Sequence, residues 1–173
     1  MGALVFGQAL SAIIDLASDA EDTLWLAAEH LTEELISAVT EALPPDAEIA
    51  VITGFAVNDL MSDRSRLALL EALVAQGISV KVVSNLGFTV AADKSAAIVP
   101  SASPNYERGK LELYAYVSDQ DSMGALLGSL TAWWEEALPV DADWLTRVQH
   151  AVDSLEAGRT AGADLGALAA AFV

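Results

Sequence analysis

Residues 23–84 decide the fold, and three short apolar runs mark them: TLWLAA at 23–28, EIAVIT at 48–53 and ISVKVVS at 78–84. Each run has the length and composition of a buried strand. Two segments with apolar residues at helical spacing separate the runs. The first segment ends at a Pro-Pro pair and the second ends at a glycine. The alternation of strand and helix predicts right-handed crossovers and a parallel sheet in this part of the chain.

The flanking segments predict more helices and a different kind of strand. Residues 4–20 have apolar side chains at helical spacing, so we expect a first helix there. Short strands joined by turns are expected next, followed by two amphipathic helices; the strands are predicted at 88–91, 96–100 and 110–117. We therefore predict an α/β domain over residues 1–138 and a helical C-terminal extension over residues 139–173.

Acidic residues dominate the charge of the chain. The 173 residues contain 25 acids and eight bases, for a net charge of −17. Residues 1–63 hold twelve of the acids and no Lys or Arg, whereas residues 64–110 hold six bases and three acids, so only this middle segment could hold an anion. Such a negative field repels phosphates and anionic lipids, so we expect no direct nucleic-acid binding by this chain and no membrane binding.

The same composition predicts where the protein works. Scarce lysine and abundant acids are typical of halophilic proteins, whose acidic surfaces stay soluble in high salt; an ordinary acidic protein is the alternative. No apolar run reaches the roughly 20 residues that a membrane span needs. The first ten residues lack the basic region of a signal peptide, so we expect a cytoplasmic protein.

Candidate catalytic and metal-binding side chains are few. The chain has no cysteine, which excludes a thiolate metal site and a cysteine nucleophile. His30 follows the first strand of the parallel set and has Glu29 beside it, at the kind of position where open α/β sheets collect ligands. A solvated histidine at a helix start is the alternative. We expect no metal and no cofactor, because the spacing shows no second ligand near His30.

Residues 87–109, GFTVAADKSAAIVPSASPNYERG, resemble the second half of a phospholipase D-like domain. In that family an H-x-K-x4-D motif spans a strand and a turn, and a G-S element and an N-x-E element follow. The run from Asp93 to Ser101 resembles the part from the motif Asp to G-S, and Asn105 to Gly109 resembles the N-x-E element. The resemblance extends over residues 5–138 in pattern. It implies a mixed sheet flanked by helices, parallel in its first half and antiparallel later.

The departures from the family pattern bear on activity. With Asp93 at the motif Asp, Leu86 stands where the family has its nucleophilic His, and Phe88 stands where it has Lys. Leucine cannot attack phosphorus, and phenylalanine cannot neutralise phosphoryl oxygens. Pro100 replaces the glycine of the G-S element. The resemblance therefore implies a catalytically degenerate member without catalytic residues, similar to the effector-binding domain of TrmB-type regulators of archaea.

A degenerate domain of this kind implies a regulatory function. The expected partners are a small-molecule effector or a protein, and a second copy in a homodimer. The predicted ligand-binding residues are Glu29, His30, Asn85, Asp93, Lys94, Ser101, Asn105, Glu107 and Arg108.

Two other functions stay open at this point. One is a diverged phosphodiester hydrolase or nuclease subunit that uses His30 with Ser101, Ser103 or Lys94. The other is a structural partner subunit that docks through an acidic surface. The helical extension, which contains Trp144, either packs on its own body or lies in the dimer interface.

Overall fold

The computed structural model describes residues 3–55, 65–84, 86–101 and 112–160, which form eight strands and five helices. The helices are α1 (Ala9–Ser18), α2 (Glu33–Ala42), α3 (Ser65–Ala75), α4 (Gln120–Glu136) and α5 (Ala142–Thr160). The strands are β1 (Ala3–Gly7), β2 (Thr23–Ala28), β3 (Glu48–Gly54), β4 (Ser79–Val83), β5 (Thr89–Ala92), β6 (Ala97–Pro100), β7 (Glu112–Val117) and β8 (Leu138–Pro139). None of the described helices is long and apolar enough to cross a membrane.

The strands form one mixed sheet in the order β1-β7-β6-β5-β2-β3-β4-β8. Strands β2, β3 and β4 are parallel, and every other neighbouring pair is antiparallel. The two parallel connections run through α2 and α3, as crossovers between parallel strands require. The predicted fold class is confirmed: an α/β chain with a parallel first half and antiparallel hairpins after it.

The first strand corrects the prediction of a helix over residues 4–20. Ala3–Gly7 form β1, which pairs with β7 and places Leu4 opposite Ala115, and the helix begins only at Ala9. A short apolar stretch suits a helix or a strand equally well in sequence. Pairing with β7, more than 100 residues away along the chain, satisfies the backbone of the stretch as an edge strand.

Each face of the sheet carries its own hydrophobic core. Of the five described helices, α1, α2, α3 and α5 pack on one face of the strands and α4 packs on the other. The two-residue period of a strand divides the side chains, so that Val51 faces the first core and its neighbour Ile52 the second. Leu86 belongs to the second core.

Helix α5 packs on the body of its own chain. Asp141 Oδ1 accepts a hydrogen bond from the backbone N–H of Trp144 at 2.7 Å and caps the helix start. Trp144 is buried and meets the Phe55 ring edge-on, with the ring centroids 4.9 Å apart. The part of the extension up to Thr160 therefore shares the first core. The division at residue 138 and the homodimer stay predictions, and residues 161–173 lie outside the described residues.

Candidate functional site

One edge of the sheet brings together several segments that the sequence singled out. Ala28, at the carboxyl end of β2, lies beside Thr53 of β3 and Thr89 of β5. The backbone N–H of Glu29 donates to the carbonyl oxygen of Phe88 at 3.2 Å. We use the name site edge for this edge of the sheet together with the residues that directly follow β2 and β3 and those that directly precede β5.

Arg66 joins the segments of the site edge. Its Nη2 atom donates to the carbonyl oxygens of Glu29 and Gly54, at 2.9 Å each. Close packing accompanies this bridge, since a Cβ atom on Gly54 would lie 3.3 Å from the Glu29 carbonyl oxygen and 3.6 Å from Leu86 Cβ. No pattern in the sequence marks Arg66 as a site residue, although it lies near the start of the basic middle segment.

Leu86 and Phe88, which the sequence resemblance aligns with the family's His and Lys, are apolar packing residues. Leu86 is 6% exposed and contacts the second core. Phe88 is half-buried, and its ring lies against that of Trp133 from α4 with the centroids 5.0 Å apart. Both side chains therefore contribute to the attachment of α4 to the sheet.

His30 and Glu29 stand at the site edge as an exposed pair. His30 Nε2 lies 3.7 Å from Glu29 Oε1, and the two side chains are 56% and 46% exposed. Water at this exposure screens the pair, so it stabilises little. Ser101 follows β6 at the same edge, where its backbone N–H donates to the carbonyl oxygen of Leu113 at 2.9 Å. The structure thus places Glu29, His30 and Ser101 on one edge.

Asp93 and Lys94 lie at the opposite edge. Strand β5 is antiparallel to β2, so its end at Ala92 lies beside Trp25, near the start of β2. Asp93 is 4% exposed, and its Oδ1 accepts from the backbone N–H groups of Ser95 and Ala96, both at 2.7 Å. The carboxylate holds the β5–β6 turn in the manner of an Asx turn.

Lys94 extends from that turn into a local ion-pair cluster. Its Nζ contacts the carboxylate of Glu21 and lies 3.5 Å from Asp22 Oδ2. A hydrogen bond to Glu21 and the charges of both carboxylates raise the pKa of Lys94. Lys94 therefore interacts with the residues before β2, at the end of the sheet opposite the site edge.

The other predicted ligand-binding residues, Asn85, Asn105, Glu107 and Arg108, lie outside the described residues, as does Ser103. In the described ranges, no group of three or more His, Asp or Glu side chains is placed to hold a metal ion.

Comparison with known proteins identifies the fold. No protein-family model and no curated protein matches the sequence. Among solved structures, the phospholipase D family member Nuc from Salmonella typhimurium superposes with a TM-score of 0.67 at 12% identity, over 82% of this chain and 100% of Nuc. NucT from Helicobacter pylori superposes with a TM-score of 0.65 at 12% identity, over 81% of this chain and 99% of NucT.

A third solved structure comes from a different functional class. TrmBL2, an archaeal chromatin protein that binds DNA, superposes with a TM-score of 0.58 at 10% identity, over 80% of this chain and 54% of TrmBL2. The chain thus spans about half the length of TrmBL2 and the whole length of Nuc. The chain has a phospholipase D-like fold.

The comparison with TrmBL2 corrects one expectation. The sequence analysis excluded direct nucleic-acid binding by this chain, and a DNA-binding protein with the same fold contradicts that exclusion. Net charge describes the surface as a whole, whereas contacts with phosphates depend on where individual basic side chains lie. A charge of −17 is therefore not a sufficient reason to exclude DNA binding.

Proposed function

We propose that this chain is a non-catalytic phospholipase D-like module that regulates by binding a small ligand or a protein partner. The observation that carries the proposal is the packing of Leu86 and Phe88. Leu86 contacts the second core, and Phe88 lies against Trp133. These positions, where the family resemblance expects a nucleophile and a cation, serve as packing positions in this chain.

The polar groups in the described part of the chain do not supply the missing chemistry. Phosphodiester transfer by a histidine nucleophile needs the imidazole and a cation on the same phosphoryl group. His30 is exposed beside Glu29, and the two described lysines are engaged elsewhere. Lys81 Nζ donates to the carbonyl oxygen of Trp134 at 2.7 Å, and Lys94 pairs with Glu21. Arg66 lies on the same edge as His30, and its Nη2 atom donates to the backbone carbonyl oxygens of Glu29 and Gly54. This use of Arg66, together with the separation of His30 from both described lysines, supports a binding function over hydrolysis.

A hydrolysis assay tests the proposal. The purified chain is incubated with bis(p-nitrophenyl) phosphate, with a phosphodiesterase of known activity as the positive control, and the His30→Ala variant is assayed in parallel. We expect no turnover above the background of the variant. Turnover by the parent chain that is lost in His30→Ala would replace the proposal with the diverged hydrolase.

DNA binding is a second candidate function, favoured by the comparison with TrmBL2. The bases of the middle segment 64–110 are the groups available for phosphates. Three of them lie outside the described residues, namely Arg64, Arg108 and Lys110. Lys94, by contrast, pairs with Glu21.

Substitutions of Arg108 and Lys110 can therefore be compared with a substitution of Lys94 to test DNA binding. Fluorescence anisotropy with a labelled duplex at low salt should show binding that weakens as salt rises. The double substitution Arg108→Gln with Lys110→Gln should weaken binding and reduce the salt dependence, whereas Lys94→Gln should leave both unchanged. Equal effects of the two changes, or no binding at low salt, would remove this candidate.

A cytoplasmic location and adaptation to high salt complete the proposal. The excess of 25 acids over eight bases supports the salt adaptation.

A further inference from the structure

The two outer strands of the sheet differ in how well they resist pairing with another chain. Strand β8 is two residues long and contains Pro139, whose nitrogen carries no hydrogen to donate. A short length and a proline are features that protect a sheet edge. Strand β1 has five residues, ALVFG, with neither a proline nor a charged side chain. In the described part of the chain, β1 pairs with β7 on one side and has no strand on the other.

Apolar side chains are exposed on both faces of the sheet near β1. Leu4 is 74% exposed and lies on the face of the second core, in register with Val99 of β6. Tyr116 of β7 is 40% exposed and lies on the face of the first core, beside Ile98. Of the three large hydrophobic side chains that are exposed in the described ranges, two therefore lie at this edge, and the third, Leu138, lies on β8.

The distribution of charge restricts where a second copy of the chain can approach. Each copy has a net charge of −17, so most of its surface repels another copy. Residues 3–14, which include β1 and the first half of α1, contain no charged side chain. A two-fold axis brings the same patch of both copies together. Pairing at β1 therefore places two uncharged strands side by side, and it offers no charge that would attract a strongly basic partner instead.

We propose that two copies of this chain associate through β1, which pairs antiparallel with β1 of the second copy about a two-fold axis. Backbone N–H and C=O groups form the new hydrogen bonds, and Leu4 of each copy packs against the other copy's strand. The two eight-stranded sheets then form one continuous sheet. This interface is independent of the proposed ligand-binding function, because β7, β6 and β5 separate β1 from β2, the strand that leads into the site edge.

Sedimentation velocity over a range of protein concentrations tests for this dimer. Two strands of five residues cover less area than a standard interface of about 1,600 Å², so the dimer should dissociate on dilution. The mean mass should rise with concentration from 18.1 kDa toward twice that value. A salt concentration of about 0.15 M suits the measurement, because the Debye length of about 8 Å screens distant charges but not charges on paired strands.

Two charge-matched variants locate the interface. Leu4→Glu and Leu138→Glu add the same charge to exposed leucines on the two outer strands. Leu4→Glu removes an apolar contact and places like charges on paired strands, so it should weaken association about tenfold or more, which is about 1.4 kcal/mol. Leu138→Glu should leave association unchanged. Circular dichroism verifies that both variants are folded.

A mixture of two variants tests whether residue 4 of one copy lies next to the other copy. Leu4→Glu and Leu4→Lys should each associate weakly alone, and an equimolar mixture should recover part of the dimer because opposite charges then meet across the strands. A general loss of stability or solubility in either variant would not be reversed by mixing.

Three results would overturn the proposed interface. They are a parent chain that stays monomeric at millimolar concentration, equal weakening by Leu4→Glu and Leu138→Glu, and no recovery of the dimer in the mixture. None of these results bears on the hydrolysis of bis(p-nitrophenyl) phosphate, so the interface and the non-catalytic function can fail separately.

Discussion

The ring of Phe88 lies against the ring of Trp133 with the centroids 5.0 Å apart and the planes inclined at 43°. Phe88 stands directly before β5, and Trp133 lies near the end of α4. The contact therefore connects the site edge to α4, which packs on the second face of the sheet. A position that the family resemblance assigns to a phosphate-binding lysine has a packing function in this chain.

Truncation of that contact should lower stability. Phe88→Ala should lower the free energy of unfolding by about 2 kcal/mol, below the range for fully buried phenylalanines because Phe88 is half-buried. Phe88→Leu, which keeps most of the apolar volume, is the matched control and should cost less. Urea denaturation followed by tryptophan fluorescence measures both. A Phe88→Ala protein as stable as the parent would mean that the ring contact does not hold α4.

Removal of the Asp93 carboxylate should destabilise the β5–β6 turn. Asp93→Ala leaves the N–H groups of Ser95 and Ala96 without their acceptor, at an expected cost of about 2–3 kcal/mol. Asp93→Asn keeps one carbonyl oxygen as an acceptor and should cost less. Thermal unfolding by circular dichroism ranks the variants. An unchanged midpoint in Asp93→Ala would argue against a structural role for this carboxylate.

Loss of the Trp144 ring should lower stability without a change in mass. Trp144 is 7% exposed within its own chain and contacts Phe55, so Trp144→Ala should lower the free energy of unfolding by about 3 kcal/mol. Light scattering on the parent and the variant should give the same molar mass. A lower mass for the variant would instead place this helix in an interface between copies.

Molar potassium chloride should raise the thermal midpoint. Residues 1–63 carry twelve acids and no Lys or Arg, and salt screens their mutual repulsion, which opposes compaction. The triple variant Glu33→Gln, Glu34→Gln, Glu41→Gln removes three exposed charges and should show a smaller salt dependence. A midpoint that does not change between dilute and molar salt would contradict the proposed salt adaptation.

The sequence predicts strands best where an apolar run lies next to a helical crossover, as in β2, β3 and β4, although only β2 and β3 are largely buried and β4 alternates between buried and more exposed side chains. Strand β1 could not be predicted, because its partner β7 lies more than 100 residues away and its five residues suit a helix equally. The two hydrogen bonds of Arg66 could not be predicted either, because it donates to backbone carbonyl oxygens, those of Glu29 and Gly54. Every residue has a backbone carbonyl group, so the residue types do not show which of these oxygens accepts a hydrogen bond.

The positions of the candidate site residues in the sheet could not be predicted from the sequence either. Leu86, Phe88 and Asp93 occupy the positions of one motif in sequence, yet β5 separates the first two from Asp93 and places them at opposite edges of the sheet. Neighbours in sequence at the two ends of a strand face different surroundings. Conversely, Glu29 and Phe88 are 59 residues apart and share a hydrogen bond because β2 and β5 are paired.

Under the proposed function, this phospholipase D-like chain binds a ligand or a protein partner and does not cleave phosphodiesters, and labelled DNA provides the decisive substrate. Single-stranded and duplex DNA are incubated with the parent chain and with His30→Ala, and the products are separated on a denaturing gel. We predict full-length strands with both proteins at all times, whether or not a native gel shows a complex. Shortened strands that accumulate with the parent chain and not with His30→Ala would contradict the claim.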